Sequence, residues 1–276
     1  MENTNKIEYV TYEKPLTFKE ISYYTYHNEK VRHENDSDLD LHFHDNYELY
    51  IHLKGDCSFF INNTIYKLKE GDVILSRPND VHVLIPQILT LNEYFCMWFS
   101  KECGDELLSF CNDENFSYKI SFLESDKEKL ISLLFEINDK NKELSDVEKT
   151  SIIFQISVLL SKNSQLKNTL DSMPDEIKGI INYIDAHFCE IENIKQIAKH
   201  FNISTSTLNR YFKKYINTSP IEFLKAKRIS YAKKLLDEGY SVTESCMKSG
   251  FSDSSYFINV FKKTFGKTPL KYKQKN

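Results

Sequence analysis

The chain lacks several features that would have settled its class at once. No two of its six cysteines, Cys57, Cys96, Cys103, Cys111, Cys189 and Cys246, form a C-x-x-C pair, so no disulfide framework is suggested and a reducing cytoplasm fits. No apolar run approaches the roughly 20 residues of a membrane span. The opening MENTNKIEYV has no apolar segment of a secretion signal, and no membrane contact is expected. Excess positive charge is missing too: 36 Lys and Arg against 40 Asp and Glu leave a net charge of −4, which alone argues against a nucleic-acid partner. Tryptophan occurs once, at Trp98, and reads as a core residue rather than a stacking platform.

The distribution of charge along the chain points the other way. Residues 175–276 hold 18 Lys and Arg against 10 Asp and Glu, which leaves 18 against 30 for the remainder. A basic C-terminal third behind an acidic body concentrates the attraction for phosphates in one place. At 276 residues, 41% hydrophobic and 13% aromatic, the chain is long and apolar enough for two packed domains.

The basic third is organised around GFSDSSYFINVFKKTFGKTP, residues 250–269. Gly250 turns, Ser252 is placed to cap, and Phe257, Val260, Phe261 and Phe265 recur at helical spacing. Gly266 stands where a helix takes a left-handed residue, and Pro269 blocks continuation. The opposite face is short, polar and basic. Just upstream, Ser241 and Glu244 form a capping box for a short helix, completing a helix-turn-helix over about 241–265. A second copy lies over about 193–216: Ile194, Ile197 and Ala198, then Ser204 capping a helix with Leu208, Phe212 and Tyr215. Asn217 takes the place of Gly266. Between the copies, PIEFLKAKRISYAKKLL reads as one long helix of roughly 25 Å at 1.5 Å per residue, a fitting spacer for two groove-sized helices.

These residues carry a resemblance. The pattern GF-x-D-x-S-Y-F-x-x-x-FK-K-x-x-G-x-TP-x-x-Y, complete from Gly250 through Tyr272, resembles the signature of the DNA-binding domain of AraC/XylS transcription regulators, and the likeness extends over residues 177–276. Ser245 and Cys246 replace an aliphatic–alanine pair that is common in the family; both are small. The resemblance implies two helix-turn-helix units on double-stranded DNA. For the first reading helix the expected contacts are Ser204, Thr205, Ser206, Thr207, Asn209, Arg210 and Lys213. Arg210 suits guanine and Asn209 suits adenine, with Ser204 and Thr205 at the helix N-terminus on phosphate. For the second they are Ser254, Ser255, Tyr256, Asn259, Lys262 and Lys263, the lysines positioning the protein on phosphates.

The N-terminal part reads differently. Residues 1–40 are polar and Tyr-rich, with a strand-like piece near 21–26. Residues 41–85 alternate and are punctuated by Gly55-Asp56, Asn62-Asn63, Gly71-Asp72 and Pro78-Asn79, as in a small β-barrel or jelly roll. EYFCMWFS, residues 93–100, is a further strand. The order H-x-H-x-x-x-E, glycine, Gly71-Asp72, Pro78 and His82 is similar to the cupin fold, which many AraC-type regulators use as a sensor. His42, His44, Glu48 and His82 are then the ligand-pocket candidates. In metal-dependent cupins the matching positions bind a divalent metal, whereas the family's sensors usually keep remnants of the motif without one, so no cofactor is expected. His52 is expected to be a paired barrel residue.

Helices over 126–138 and 145–162 follow, the second opened by a Ser145–Glu148 capping box. The expectation is an α+β two-domain protein. A cupin-like barrel with helices, 1–162, senses and dimerises; 163–174 is a linker; 175–276 is all-α and binds DNA. The function expected is a cytoplasmic, homodimeric, sequence-specific transcription regulator under a small-molecule effector, contacting RNA polymerase if it activates. The alternatives are a metal-dependent cupin oxygenase or isomerase with a DNA-binding tail, and a protein-interaction module. They are set behind a reading in which the chain is not an enzyme.

Overall fold

A computed structural model describes residues 16–18, 21–28, 41–86, 92–113, 116–139, 142–164 and 173–274. Within them the chain forms β1 (Leu16–Phe18), β2 (Ile21–Asn28), β3 (Tyr47–Lys54), β4 (Cys57–Ile61), β5 (Thr64–Lys67), β6 (Val73–Ser76), β7 (His82–Pro86), β8 (Asn92–Phe99) and β9 (Lys119–Ile120). All pair antiparallel, in one sheet of order β1-β2-β8-β3-β6-β9 and another of order β5-β4-β7. The β4–β5 turn is Asn62-Asn63, both with positive φ, 46° and 59°. That is the geometry a two-residue hairpin of matching twist requires and that asparagine tolerates.

Period-two alternation sorts the side chains of the central strands. On β8, Phe95, Met97 and Phe99 face outward, into a core completed by helices α2 (Glu124–Ile137) and α3 (Asp146–Asn163); Leu130, Leu134, Ile153, Ile156 and Leu160 are its helical side. Tyr94, Cys96 and Trp98 face the other way, between the sheets. On β3, Leu49 and Ile51 go out to the helices and Glu48 and Tyr50 go in. Both strands are therefore covered on both faces. Ser145 caps α3 with the full box to Glu148, while Leu123 precedes α2 without a side-chain cap. A short helix α1 (Lys101–Leu107) and a 3-10 turn (Ser109–Asn112) follow β8; neither has a strong pattern in the sequence.

From Asp175 the described chain is helical: α4 (Asp175–His187), α5 (Ile194–His200), α6 (Thr205–Ile216), α7 (Pro220–Asp237), α8 (Val242–Lys248), α9 (Ser254–Phe265) and α10 (Pro269–Lys273). Two details differ from the sequence expectation. Asp253, not Ser252, caps α9, its carboxylate accepting from the Tyr256 amide at 2.8 Å; a carboxylate at a helix N-terminus also gains from the macrodipole. Pro269 does not merely stop the chain: it is the first residue of α10, where a missing N–H costs nothing. Most of the expected linker, 165–172, lies outside the described residues, as does the arm before residue 16.

The outer face of the small sheet is covered by the helical half. Phe60, Val83 and Ile85 share a core with Ile177, Ile180, Ile181, Leu208 and Phe223, and Phe60 meets Phe223 edge-on at 5.7 Å. The sandwich is thus held between α2 and α3 on one side and the C-terminal helices on the other.

Candidate ligand cavity and nucleic-acid interface

Between the sheets lies a cavity of about 400 Å³, lined by Ser22, His42, His44, Asn46, Glu48, Tyr50, Phe59, His82, Leu84, Tyr94, Cys96 and Trp98. All four pocket residues expected from the sequence are in its wall. The sequence missed the rest, because alternation says which residues share a face but not which face encloses a void. Trp98 is a correction: it is half-buried at the cavity rather than inside the core. His52 is buried and paired, its Nε2 3.1 Å from the Gly55 carbonyl, and does not join the cluster.

His42 and His82 meet across a β-bridge with both amides bonded, at 3.0 and 2.9 Å. That bridge sets two imidazoles edge to face, with centroids 4.4 Å apart. His44 stands 5.1 Å from His82 in the same manner. Glu48, the second residue of β3, enters beneath them: its Oε2 is 2.5 Å from His44 Nε2 and 3.3 Å from His82 Nε2. Burial pushes the Glu48 carboxyl up, but the hydrogen bonds and charges of His44 and His82 outweigh it and hold it well below the usual carboxylate range. Burial lowers the His44 imidazole, yet its bond and charge pairing with Glu48 carry it above its ordinary value. The candidate ligand atoms of the four residues lie within 4.8 Å of one another, close enough for a single small cation. Three imidazoles and one carboxylate suit a transition metal rather than calcium or magnesium.

At the other end, the two helix-turn-helix units are α5–α6 and α8–α9. Ser204 caps α6 through its bond to the Thr207 amide at 3.0 Å. The last residue of the turn after α6, Asn217, is left-handed at φ 58°, and Gly266 matches it at 70°. Each helix buries one stripe, Leu208, Phe212 and Ile216 on α6 and Phe257, Val260 and Phe261 on α9. The residues expected on DNA fall on the opposite faces. Ser204, Ser206, Asn209, Arg210, Lys213, Ser254, Ser255, Tyr256, Asn259, Lys262 and Lys263 are exposed, and Thr205 and Thr207 partly so. Neither face is buried against the other described residues. Lys213 and Lys214 end α6, and Lys262 and Lys263 end α9. Asn209 gives its side-chain amide to the Thr205 carbonyl at 2.8 Å. α7, 18 residues and so about 27 Å long at 1.5 Å per residue, separates the units. Arg228 is not free for DNA: it bonds the Phe188 and Ile191 carbonyls and fastens α7 to the end of α4.

The comparisons agree with this division. Residues 31–110 match the family described as AraC-like ligand binding domain, and residues 197–275 match the helix-turn-helix domain. The chain belongs to the AraC family of transcription regulators. Among curated AraC-type relatives, it is 27% identical over 253 residues to the uncharacterized HTH-type transcriptional regulator YdeC of Bacillus subtilis, covering 86% of this chain and 87% of that one. It is 23% identical over 251 residues to the HTH-type transcriptional activator RhaS of Escherichia coli, covering 86% and 88%. Among solved structures, apo ToxT of Vibrio cholerae aligns over 93% of this chain and 98% of its own at 16% identity, with a TM-score of 0.39. An AraC-family chain with these two parts is a DNA-binding regulator with an N-terminal ligand-binding domain, and its curated relatives are regulators rather than enzymes. No helix among the described residues is long and apolar enough to cross a membrane.

One set of contacts had no announcement in the sequence. The face of α7 that carries residues 227, 230 and 233 touches the β-rich domain. Lys227 reaches Asn63 at 3.1 Å, Ser230 bonds the Asn79 carbonyl at 2.9 Å, and Lys233 pairs with Asp45 at 2.7 Å. Phe43 inserts beside Phe265, with centroids 5.6 Å apart, in a cluster with Val81, Ile229, Phe257 and Phe261.

Proposed function

We propose that the chain acts as a cytoplasmic homodimer that reads a specific duplex site with α6 and α9 and answers to a small molecule held between the sheets. The observation that carries the DNA reading is the pair of exposed polar helix faces, set at the two ends of one spacer helix. Successive major-groove faces on one side of a duplex lie about 34 Å apart, a span that α7 and the widths of the two units can bridge. Arg210 reads guanine and Asn209 adenine, with Ser206 and Thr207 beside them on the same helix; Ser204 and Thr205 approach the backbone at the helix N-terminus. Ser254, Ser255, Tyr256 and Asn259 line the second groove, and Lys213, Lys262 and Lys263 hold phosphates. The domains are taken as 1–162 and 175–276 with a linker between.

The dimer reading rests on α3, where Val147, Phe154 and Val158 are 79%, 52% and 63% exposed on one side of the helix. An apolar stripe of this kind is unusual on a monomer. If the regulator activates, RNA polymerase is a further partner.

The test is a gel shift and footprint at stated salt, with duplex from the region upstream of the chain's own coding sequence. Arg210→Ala is expected to lose about 1–3 kcal/mol and to relax specificity at one base pair. Lys213→Ala should weaken all sequences alike and lower the salt slope by about 1. Unchanged affinity and an unchanged footprint for Arg210→Ala would remove that residue from the interface.

A further inference from the structure

The two helix-turn-helix units do not share one core. The first packs Leu208, Phe212 and Ile216 with Phe223 and Leu224 of α7. The second packs Phe251, Phe257 and Phe261 with Ala226, Ile229, Ala232 and Leu236 of the same helix. Arg228 stands where α7 passes from one core to the other. Its Nε donates to the Phe188 carbonyl at 2.7 Å, and its Nη2 donates to the Ile191 carbonyl. One guanidinium therefore holds both ends of the four-residue segment 188–191 that follows α4. Ile191 is fully buried in the first core, and Phe188 meets Tyr231 of α7 edge to face at 5.4 Å. The middle of the segment abuts the second unit: a Cβ at Gly250 would lie 2.5 Å from the Cys189 carbonyl oxygen. A cleft of about 580 Å³ lies beside this contact, bordered by Glu190, Arg228, Met247 and Ser252, so apolar packing does not lock the two units together there. Among the described residues no carboxylate pairs with Arg228, and burial lowers its pKa. A partly desolvated charge without a counter-ion adds little to stability. What arginine supplies is geometry, because its planar fork bonds two acceptors in set directions and a lysine ammonium does not.

We propose that Arg228 is the positioning residue that sets the angle between the two reading helices, by fixing residues 188–191 as a stop against which the turn at Gly250 rests. Its consequence for DNA rests on reading α6 and α9 as a two-groove reader; the geometry itself does not. With the stop in place, the second unit has one orientation relative to the first. With the stop loose, the two are joined only through α7 and the β-rich domain, and the angle between them gains freedom. A site whose halves lie about 34 Å apart is exacting, since one added base pair moves a half by about 3.4 Å and turns it by about a tenth of a turn. Arg228 thus touches no DNA, and it decides which spacing the pair of helices accepts.

The experiment compares the full wild-type chain with Arg228→Lys, which keeps the charge and loses the fork. Without DNA, spin labels carried by unnatural amino acids at the exposed positions Lys214 and Lys263, near the ends of α6 and α9, report the distance between the reading helices by double electron–electron resonance. The variant should give a wider distance distribution at an unchanged far-ultraviolet circular dichroism spectrum. An equal distribution overturns the proposal whether or not the chain binds DNA. On DNA, gel shifts use the footprinted site, each half alone, and full sites with one base pair added or removed between the halves. Arg228→Lys should bind the full site about tenfold more weakly. It should bind each half as the wild type does and lose less than the wild type when the spacing changes. A merely structural defect would weaken half-sites and full site alike and leave the spacing penalty as it was, and that result overturns the positioning role. Should Arg228→Lys fail to fold, Gly250→Ala displaces the same stop from the other side. It should move the preferred spacing or flatten the spacing penalty, and a wild-type spacing profile would refute the stop. A chain that shifts no DNA while its distance distribution widens sinks the regulator reading and leaves the role of Arg228 standing.

Discussion

The turn of the second helix-turn-helix unit depends on a single glycine for two separable reasons, and a three-glycine series separates them. Gly250, Gly239 and Gly266 all have positive φ, 83°, 94° and 70°. A residue with a Cβ costs about 1–2 kcal/mol in the left-handed region, so alanine at any of the three starts with that penalty. At Gly239 and Gly266 a Cβ would meet nothing within 4 Å. At Gly250 it would lie 2.5 Å from the Cys189 carbonyl oxygen and 2.7 Å from the Cys189 Cα. Those are backbone atoms and cannot rotate away. The segment after α4 must move, as in an overpacked core, for a further 1–3 kcal/mol or so. Gly239→Ala and Gly266→Ala should therefore cost about 1–2 kcal/mol, and Gly250→Ala about 2–5 kcal/mol. Gly266→Asn should be nearly neutral, because Asn217 already fills the matching place in the first unit at φ 58°. Urea unfolding followed at 222 nm reads the helical half, while Trp98 fluorescence reads the β-rich domain and serves as an internal reference. The midpoints should fall in the order given. A Gly250→Ala midpoint equal to that of Gly239→Ala would refute the claim that close approach to Cys189 governs the turn.

Ser245 is fully buried and its hydroxyl has no hydrogen-bond partner; Ser245→Ala should stabilise the helical half by about 1 kcal/mol, seen as a higher urea midpoint, and a lower midpoint would refute it. Phe154→Glu and Val158→Glu should shift the chain toward monomer in sedimentation without moving the Trp98 unfolding transition, and an unchanged dimer fraction would exclude α3 as the interface. Asp45→Asn should cost little in overall stability, since Asp45 is 56% exposed and Lys233 keeps Asp237 at 2.8 Å; a loss of several kcal/mol by urea unfolding would show the ion pair to be structural rather than a movable contact.

Much of this architecture can be read from local chemistry. The repeat is legible because its caps and breakers are strong and short-range: Ser204, Asn217, the Ser241–Glu244 box and Gly266 act within one turn of chain. The Asn62-Asn63 hairpin is legible for the same reason. Ser252 and Asp253 are both good capping residues one position apart, and only backbone direction decides between them. Trp98 is not placed by its sequence context, because its burial depends on whether the space between the sheets is filled. The inter-domain contacts are illegible for a deeper reason. Asp45, Asn79, Ser230 and Lys233 are ordinary polar residues, and their partners lie more than 100 residues away in the chain. The His-Phe-His-Asp alternation is visible, but not that its second face is covered by another domain.

That covered face bears on how control could reach the DNA. Among the described residues, the β-rich domain meets α6 and α9 through shared apolar clusters, and it makes polar contacts with α7 at Lys227, Ser230 and Lys233. α7 is the spacer between the two reading helices; near its start it packs against Phe212 through Phe223, and from its middle to its end it shares a cluster with Phe261 through Ile229, Ala232 and Leu236. A shift of α7 relative to the sandwich need not expose either reading face, because both are exposed already. What it can change is the angle between the two units, and a two-groove reader is sensitive to that angle, since both helices must seat on one duplex. Control by this route predicts that an effector alters binding to the two half-contacts together far more than to either one alone. Footprints on duplexes carrying only one half of the site should then be nearly blind to the effector, and an equal response of a half-site and the full site would instead place control in the capture of a reading helix itself.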